Sequence, residues 1–212
     1  MQNLQSKAET IYQTLSNKYP DAGIELNYNN PLELTVATIL SAQCTDAKVN
    51  EVTAKLFQKY RTPSDYLNVP QEELENDIRQ LGFYRRKAQS LVKLMGKLNN
   101  EHNGSIPKDM DSLTSLPGIG RKTANIILGN AFGVPGIAVD THVKRVTNRL
   151  GLTDNTKPEK IEADLMELYP ESEWVQLSNV FIFHGRYTCK AKKPDCENCP
   201  VNDLCRYYSN LE

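Results

Sequence analysis

Apolar residues recur along most of the chain at intervals of three and four, the spacing of helices that bury one stripe. In "SKAETIYQTLSNKY" that stripe is Ala8, Ile11, Tyr12, Leu15 and Tyr19, and Ser6 with Glu9 has the spacing of a capping box. "NNPLELTVATILSAQ" opens on Pro31, which suits a first helical position. Val49, Val52, Leu56, Phe57 and Tyr60 share one face of "TDAKVNEVTAKLFQKY". The run "PQEELENDIRQLG" predicts a helix closed by Gly82, and "YRRKAQSLVKLMGKL" a helix burying Ala88, Leu91, Val92, Met95 and Leu98. Helices are also predicted over "RKTANIILGNAFG", "TKPEKIEADLMELY" and "EWVQLSNVFIFHG", and over "VDTHVKRVTNRLG" with Asp140 as N-cap and Gly151 as C′ residue. "GIELNYN" is the best strand candidate. The pattern predicts an all-α protein with no internal repeat and no low-complexity linker.

Composition bounds this picture without sharpening it. The 212 residues suffice for one large domain or two small ones, and 39% apolar with 24% charged residues is ordinary for a soluble globular chain. "MQNLQSKAETIYQTL" lacks the apolar core of a signal peptide, and no segment approaches the length of a membrane span. A reducing, cytoplasmic setting is therefore expected, with no membrane partner. In that setting five cysteines point to metal or catalysis before disulfides.

The net charge of −1 gives no hint of a nucleic-acid partner, but its distribution does. From Gly120 to Arg149 the bases Arg121, Lys122, Lys144, Arg145 and Arg149 face only Asp140, for a net +4. From Asp154 to Trp174 seven acids meet only Lys157 and Lys160, for a net −5. Two solvated faces would explain this for an arbitrary protein. The basic stretch also holds "LPGIGRK", which favours phosphate contact.

Gly118 and Gly120 permit a tight turn with positive φ and leave room for a close neighbour. A turn that feeds a helix start leaves N–H groups aimed outward, suited to a phosphate oxygen. Two helices so joined form a helix–hairpin–helix, although the glycines alone fit a plain connector slightly better, since short glycine motifs are common. Lys122 tips the balance, because a helix N-terminus disfavours an ammonium and Arg121 adds a like charge. The placement is expected to keep the amine reactive as a nucleophile. Asp140, eighteen residues on, is expected to cap a helix and stay ionised. Such a carboxylate can also stabilise a sugar cation and move protons, with His142 as a nearby polar contact.

Cys189, Cys196, Cys199 and Cys205 are spaced C-x6-C-x2-C-x5-C within seventeen residues. One metal centre is the reading. A single C-x2-C with long flanking gaps suits a four-iron cluster better than zinc, whose sites favour paired short spacings. Lys190, Lys192 and Lys193 against Asp195 make the first gap basic, suited to phosphate contact. Cys44 is expected to be a small buried apolar residue.

"LPGIGRKTAN", "AVDTHVKRVTNRLG" and the cysteine spacing, together with "LSAQCTD" and "HGRYTC", resemble the bacterial endonuclease III family over essentially the whole chain. That family consists of bifunctional DNA glycosylases of the helix–hairpin–helix superfamily. The resemblance implies a six-helix domain over residues 23–134 with the hairpin, and a [4Fe–4S] domain formed by residues 1–22 and 135–212. Double-stranded DNA would lie in a cleft between them. It further implies that Lys122 is the nucleophile and Asp140 its acidic partner, releasing oxidised pyrimidines and cleaving abasic sites by β-elimination. Gln43 matches the residue that fills the space left by the flipped nucleotide. Phe83 stands where the family often has a leucine wedge. A monomer is expected, because nothing suggests a large apolar face left over, in the bacterial cytoplasm at the nucleoid. Adenine glycosylases of the superfamily lack a lysine at this position and carry a further domain, whereas this chain ends seven residues after Cys205. A pyrimidine-dimer glycosylase with the same lysine, and a non-catalytic metal-held DNA-binding module, are the alternatives.

Overall fold

A computed structural model describes residues 3–211. Among the described residues there is no strand, and no helix is long and apolar enough to cross a membrane. The chain divides into two compact units. One is Glu25–Val134, and the other joins Met1–Ile24 to Pro135–Glu212.

In chain order the helices are α1 (Leu4–Lys18), α2 (Pro31–Leu40), α3 (Asp46–Lys59), α4 (Pro63–Leu67), α5 (Gln71–Asp77), α6 (Tyr84–Glu101), α7 (Met110–Ser115) and α8 (Arg121–Phe132). There follow α9 (Thr141–Leu150), α10 (Pro158–Leu168), α11 (Trp174–Tyr187) and α12 (Arg206–Ser209). The 25–134 unit holds α2 to α8, in which the five-residue α4 is one turn beside six longer helices. Its central helix α2 is buried on every side from Leu34 to Leu40 and packs against α3, α6 and α8. The other unit packs α1 against α10 and α11, and α9 against α11 and α12. Ile11, Leu15, Val143, Val146, Leu165, Leu177 and Phe181 are fully buried in its core. Each such side chain contributes roughly 1.5–3 kcal/mol of burial.

Several sequence expectations need correction. Helix α1 starts at Leu4, with Asn3 accepting from the Gln5 N–H, so Ser6 and Glu9 form no capping box. Ser6 lies within the helix, where its carbonyl accepts from the Thr10 hydroxyl. The capping box of this chain is instead Thr62 with Asp65, at α4. Gly82 closes no helix: α5 ends at Asp77, and turns then bury Ile78 and Leu81 before α6. "GIELNYN" is irregular and is tied to α3 by Asn50, which accepts from the Asn27 N–H and donates to the Glu25 carbonyl. Cys44 is half-buried, beside the amine of Lys87.

Candidate functional site

The turn between α7 and α8 is anchored by Leu116 and Ile119, both buried. The Ile119 N–H closes it on the Leu116 carbonyl at 3.2 Å. Its two glycines both permit positive φ, and only Gly118 uses it. Gly118 has φ +83°, and a Cβ there would lie 3.7 Å from Ile39 Cδ1. Gly120 is extended at φ −95°, and nothing in the chain lies within 4 Å of where its Cβ would be. The space beside Gly120 is therefore open. No side chain caps α8 and no acid sits in its first turn, so none of its own side chains offsets the positive end of its dipole. Arg121 and Lys122, the first two residues of α8, are exposed.

Asp46, the half-buried first residue of α3, was not singled out from the sequence. Burial pushes its carboxyl above the usual range, and the charge of Lys122 opposes that shift. Nothing local in "SAQCTD" reveals this neighbour, because it is brought near by the packing of α2 against both α3 and α8. The one available signal was that the aspartate opens a helix within a stretch that carries the resemblance.

Gln43 and Phe83 both have left-handed backbones, at φ 56° and φ 58°. Each costs on the order of 1–3 kcal/mol for a residue with a side chain, strain that concentrates at functional positions. Gln43 is exposed, and Phe83 leaves 59% of its surface in solvent although it is large and apolar. The two turns lie side by side: a Cβ on Gly82 would be 3.9 Å from both the Gln43 carbonyl and Cys44 Sγ.

In the other unit, Asp140 is the N-cap of α9 and is half-buried. Its Oδ1 accepts from the His142 and Val143 N–H groups, each at 2.8 Å. His142 is half-buried against Gly185, where any side chain would meet His142 Cβ at 2.8 Å. The His142 Nδ1 lies 3.1 Å from Arg145 Nη2, which also donates to the Gly185 carbonyl. Lys192 and Lys193 are exposed on the loop after α11, Lys193 with φ 52°.

The four late cysteines are free thiols lining one cavity. Two arginines of α9 fasten its rim. Arg145 Nε donates to the Cys189 carbonyl, and Arg149 Nη1 to Cys189 Sγ at 3.4 Å and the Lys190 carbonyl at 2.8 Å. Among the described residues no three His, Cys, Asp or Glu side chains converge as a single ion requires. Four cysteines lining one cavity fit a metal group held by thiolates. Burial pushes the Cys199 thiol up to about 11 and raises that of Cys196, so thiolates here call for a cationic partner.

Residues 36–171 match the HhH-GPD superfamily of base excision DNA repair proteins, and residues 189–205 match the iron–sulfur binding domain of endonuclease III. The chain is 50% identical to endonuclease III of Bacillus subtilis, over 91% of its own length and 88% of that protein's. It is 41% identical to endonuclease III of Escherichia coli, over 98% of each. A solved non-covalent endonuclease III–DNA complex superposes with a TM-score of 0.94 at 48% identity, covering 100% of this chain and 99% of that one. A trapped endonuclease III–DNA covalent intermediate matches with the same values. Fold and hairpin thus define a helix–hairpin–helix base excision DNA repair protein. The chain belongs to the endonuclease III family. Its cofactor is a [4Fe–4S] cluster.

Cys189, Cys196, Cys199 and Cys205 would hold the cluster, whose iron–thiolate ties would fasten the 189–205 loop to the core that contains Val201 and Cys205. Cys199→Ser is expected to weaken the visible absorbance of the purified protein and to lower Tm by about 10 °C, the size expected for losing a few kcal/mol in a chain this long. Absorption spectra and thermal melts check it. An unchanged iron content and Tm would remove Cys199 from the ligand set.

Proposed function

We propose that Lys122 is the nucleophile and Asp140 the acidic partner of this DNA glycosylase and AP lyase, acting on oxidised pyrimidines and abasic sites in duplex DNA. The carrying observation is Lys122 in the first turn of an uncapped helix, directly behind the Gly118–Gly120 turn, in a chain of this family. On this reading the target nucleotide leaves the stack, since its C1′ is out of reach inside the duplex. The Lys122 amine attacks C1′ as the glycosidic bond breaks, and the base departs with the bonding pair and a proton. The sugar ring opens to an imine between Nζ and C1′. Loss of a C2′ proton then expels the 3′ phosphate, and water hydrolyses the imine to return the amine. Asp140 stabilises the positive charge on the sugar while the base leaves and takes part in the proton transfers.

The remaining residues take binding roles. Gly118, Gly120 and Arg121 hold phosphate at the hairpin, and His142, Lys192 and Lys193 add contacts from the cluster-bearing unit. Gln43 fills the vacated space and Phe83 wedges the strand. The 25–134 unit is then the hairpin domain, and the unit joining both ends of the chain is the cluster domain. The enzyme works as a monomer in the cytoplasm, at the nucleoid. Borohydride trapping on duplexes carrying thymine glycol, an abasic site or a cyclobutane pyrimidine dimer tests the substrate class. Crosslinking to the first two supports the reading, and a preference for the dimer overturns it.

The hairpin glycines give a second test. Gly120→Ala is expected to leave stability unchanged, because its Cβ meets no protein atom, yet to weaken binding to abasic-analogue duplex. Gly118→Ala forces a side chain into positive φ and should cost about 1 kcal/mol of stability. Denaturant melts and titrations at fixed salt separate the two effects. If Gly120→Ala binds as the parent does, no phosphate approaches at that position.

A further inference from the structure

We propose that Lys87 is a positioning residue that locks Gln43 and Phe83 into one rigid wedge for opening duplex DNA. The inference rests on the DNA roles assigned to those two residues above. Lys87 follows Arg85 and Arg86 in α6, but while those two are exposed, Lys87 is 6% exposed. Lysine is almost never buried so deeply unless its donors are met. Its Nζ donates to the Leu40 carbonyl at 2.8 Å and to Cys44 Sγ at 3.2 Å.

Those two acceptors bracket the turn that carries Gln43. Leu40 ends α2, and the Cys44 N–H closes the turn on the Ser41 carbonyl at 3.0 Å. At its other end Lys87 is tied to Phe83, whose carbonyl accepts its backbone N–H at 3.1 Å. One residue thus holds both left-handed positions, its main chain fixing Phe83 and its side chain fixing the Gln43 turn. Strained backbone of this kind persists only where the surroundings over-determine it. The Nζ tie joins the end of α2 and the Gln43 turn to the start of α6, so that neither turn relaxes without the other.

A wedge must not yield before the base stack does, and unstacking costs a few kcal/mol per step. Single-stranded DNA requires no wedge. The Lys87 tie should therefore matter for duplex substrates and not for single strands.

The experiment compares single-turnover cleavage of one abasic site in duplex and in single-stranded DNA, with 2-aminopurine beside the lesion reporting unstacking. In Lys87→Met the duplex-to-single-strand rate ratio is expected to fall by roughly tenfold to a hundredfold, the scale for misplacing a working group by about an ångström. The 2-aminopurine rise should slow in step. If Lys87→Met does not fold, Lys87→Gln, which keeps a donor but is too short to span both acceptors, carries the comparison. An unchanged ratio, or an equal loss on both substrates, overturns the proposal. Phe83→Ala is run in parallel: if its ratio does not fall, the wedge reading itself fails. A fall with Phe83→Ala but not with Lys87→Met condemns only the role of Lys87.

Discussion

Lys122→Gln is expected to abolish borohydride crosslinking to abasic and thymine-glycol duplexes, and to lower strand cleavage by about a thousandfold or more. An amide cannot form the imine, so both the trapped species and the β-elimination that depends on it disappear. The substitution is mild in every other respect. Position 122 is exposed at the start of α8, so the fold should keep its stability to within about 0.5 kcal/mol. DNA binding should weaken only by the loss of one cation near phosphate, lowering the salt dependence by about one unit. Trapping gels, melts and salt titrations on one preparation distinguish lost chemistry from lost binding. Crosslinking by Lys122→Gln at the parent level would show that another amine is the nucleophile.

The parts of this molecule that were legible in its sequence are those fixed by neighbours along the chain. The Ala8, Ile11 and Leu15 stripe is buried as its period requires, and Asp140 caps α9 because a carboxylate before "THVKRV" meets two N–H groups. Pro31 opens α2, and Gly151 ends α9 in a left-handed conformation. The cysteines share a cavity because their spacing lies within a single loop.

Periodicity failed where tertiary burial set the boundary. Ile78 and Leu81 turn inward together and end the helix before Gly82, and Leu94 joins the core although the stripe omitted it. Contacts between separate helices were wholly hidden. The charge of Lys122 at Asp46, the buried Nζ of Lys87 and the left-handed Gln43 and Phe83 all depend on how α2, α3, α6 and α8 meet. A stretch such as "YRRKA" shows three cations in a row, and only the phase of α6 decides which one points inward. The wedge role expected of Phe83 came only from resemblance, because no local pattern distinguishes a wedge from an exposed phenylalanine.

Asp140→Asn should lower base release by about a hundredfold to a thousandfold, the usual size for removing one electrostatic stabiliser of a transition state. The choice of asparagine separates the two duties of this side chain. Asparagine caps helices about as well as aspartate, so its carbonyl oxygen can accept the His142 and Val143 N–H groups as Oδ1 does. Stability should therefore hold, whereas Asp140→Ala also forfeits the cap and about 1 kcal/mol. The charge matters most while the base departs and the sugar is cationic. Cleavage of a preformed abasic site, from which the base is already gone, should then fall less than release of thymine glycol. Measuring both reactions in both variants decides between a working carboxylate and a cap. Full base release by Asp140→Asn, with a stability loss confined to Asp140→Ala, would leave Asp140 the structural role alone, and the charge that steadies the sugar would have to come from another carboxylate, with Asp46 near Lys122 the first to replace.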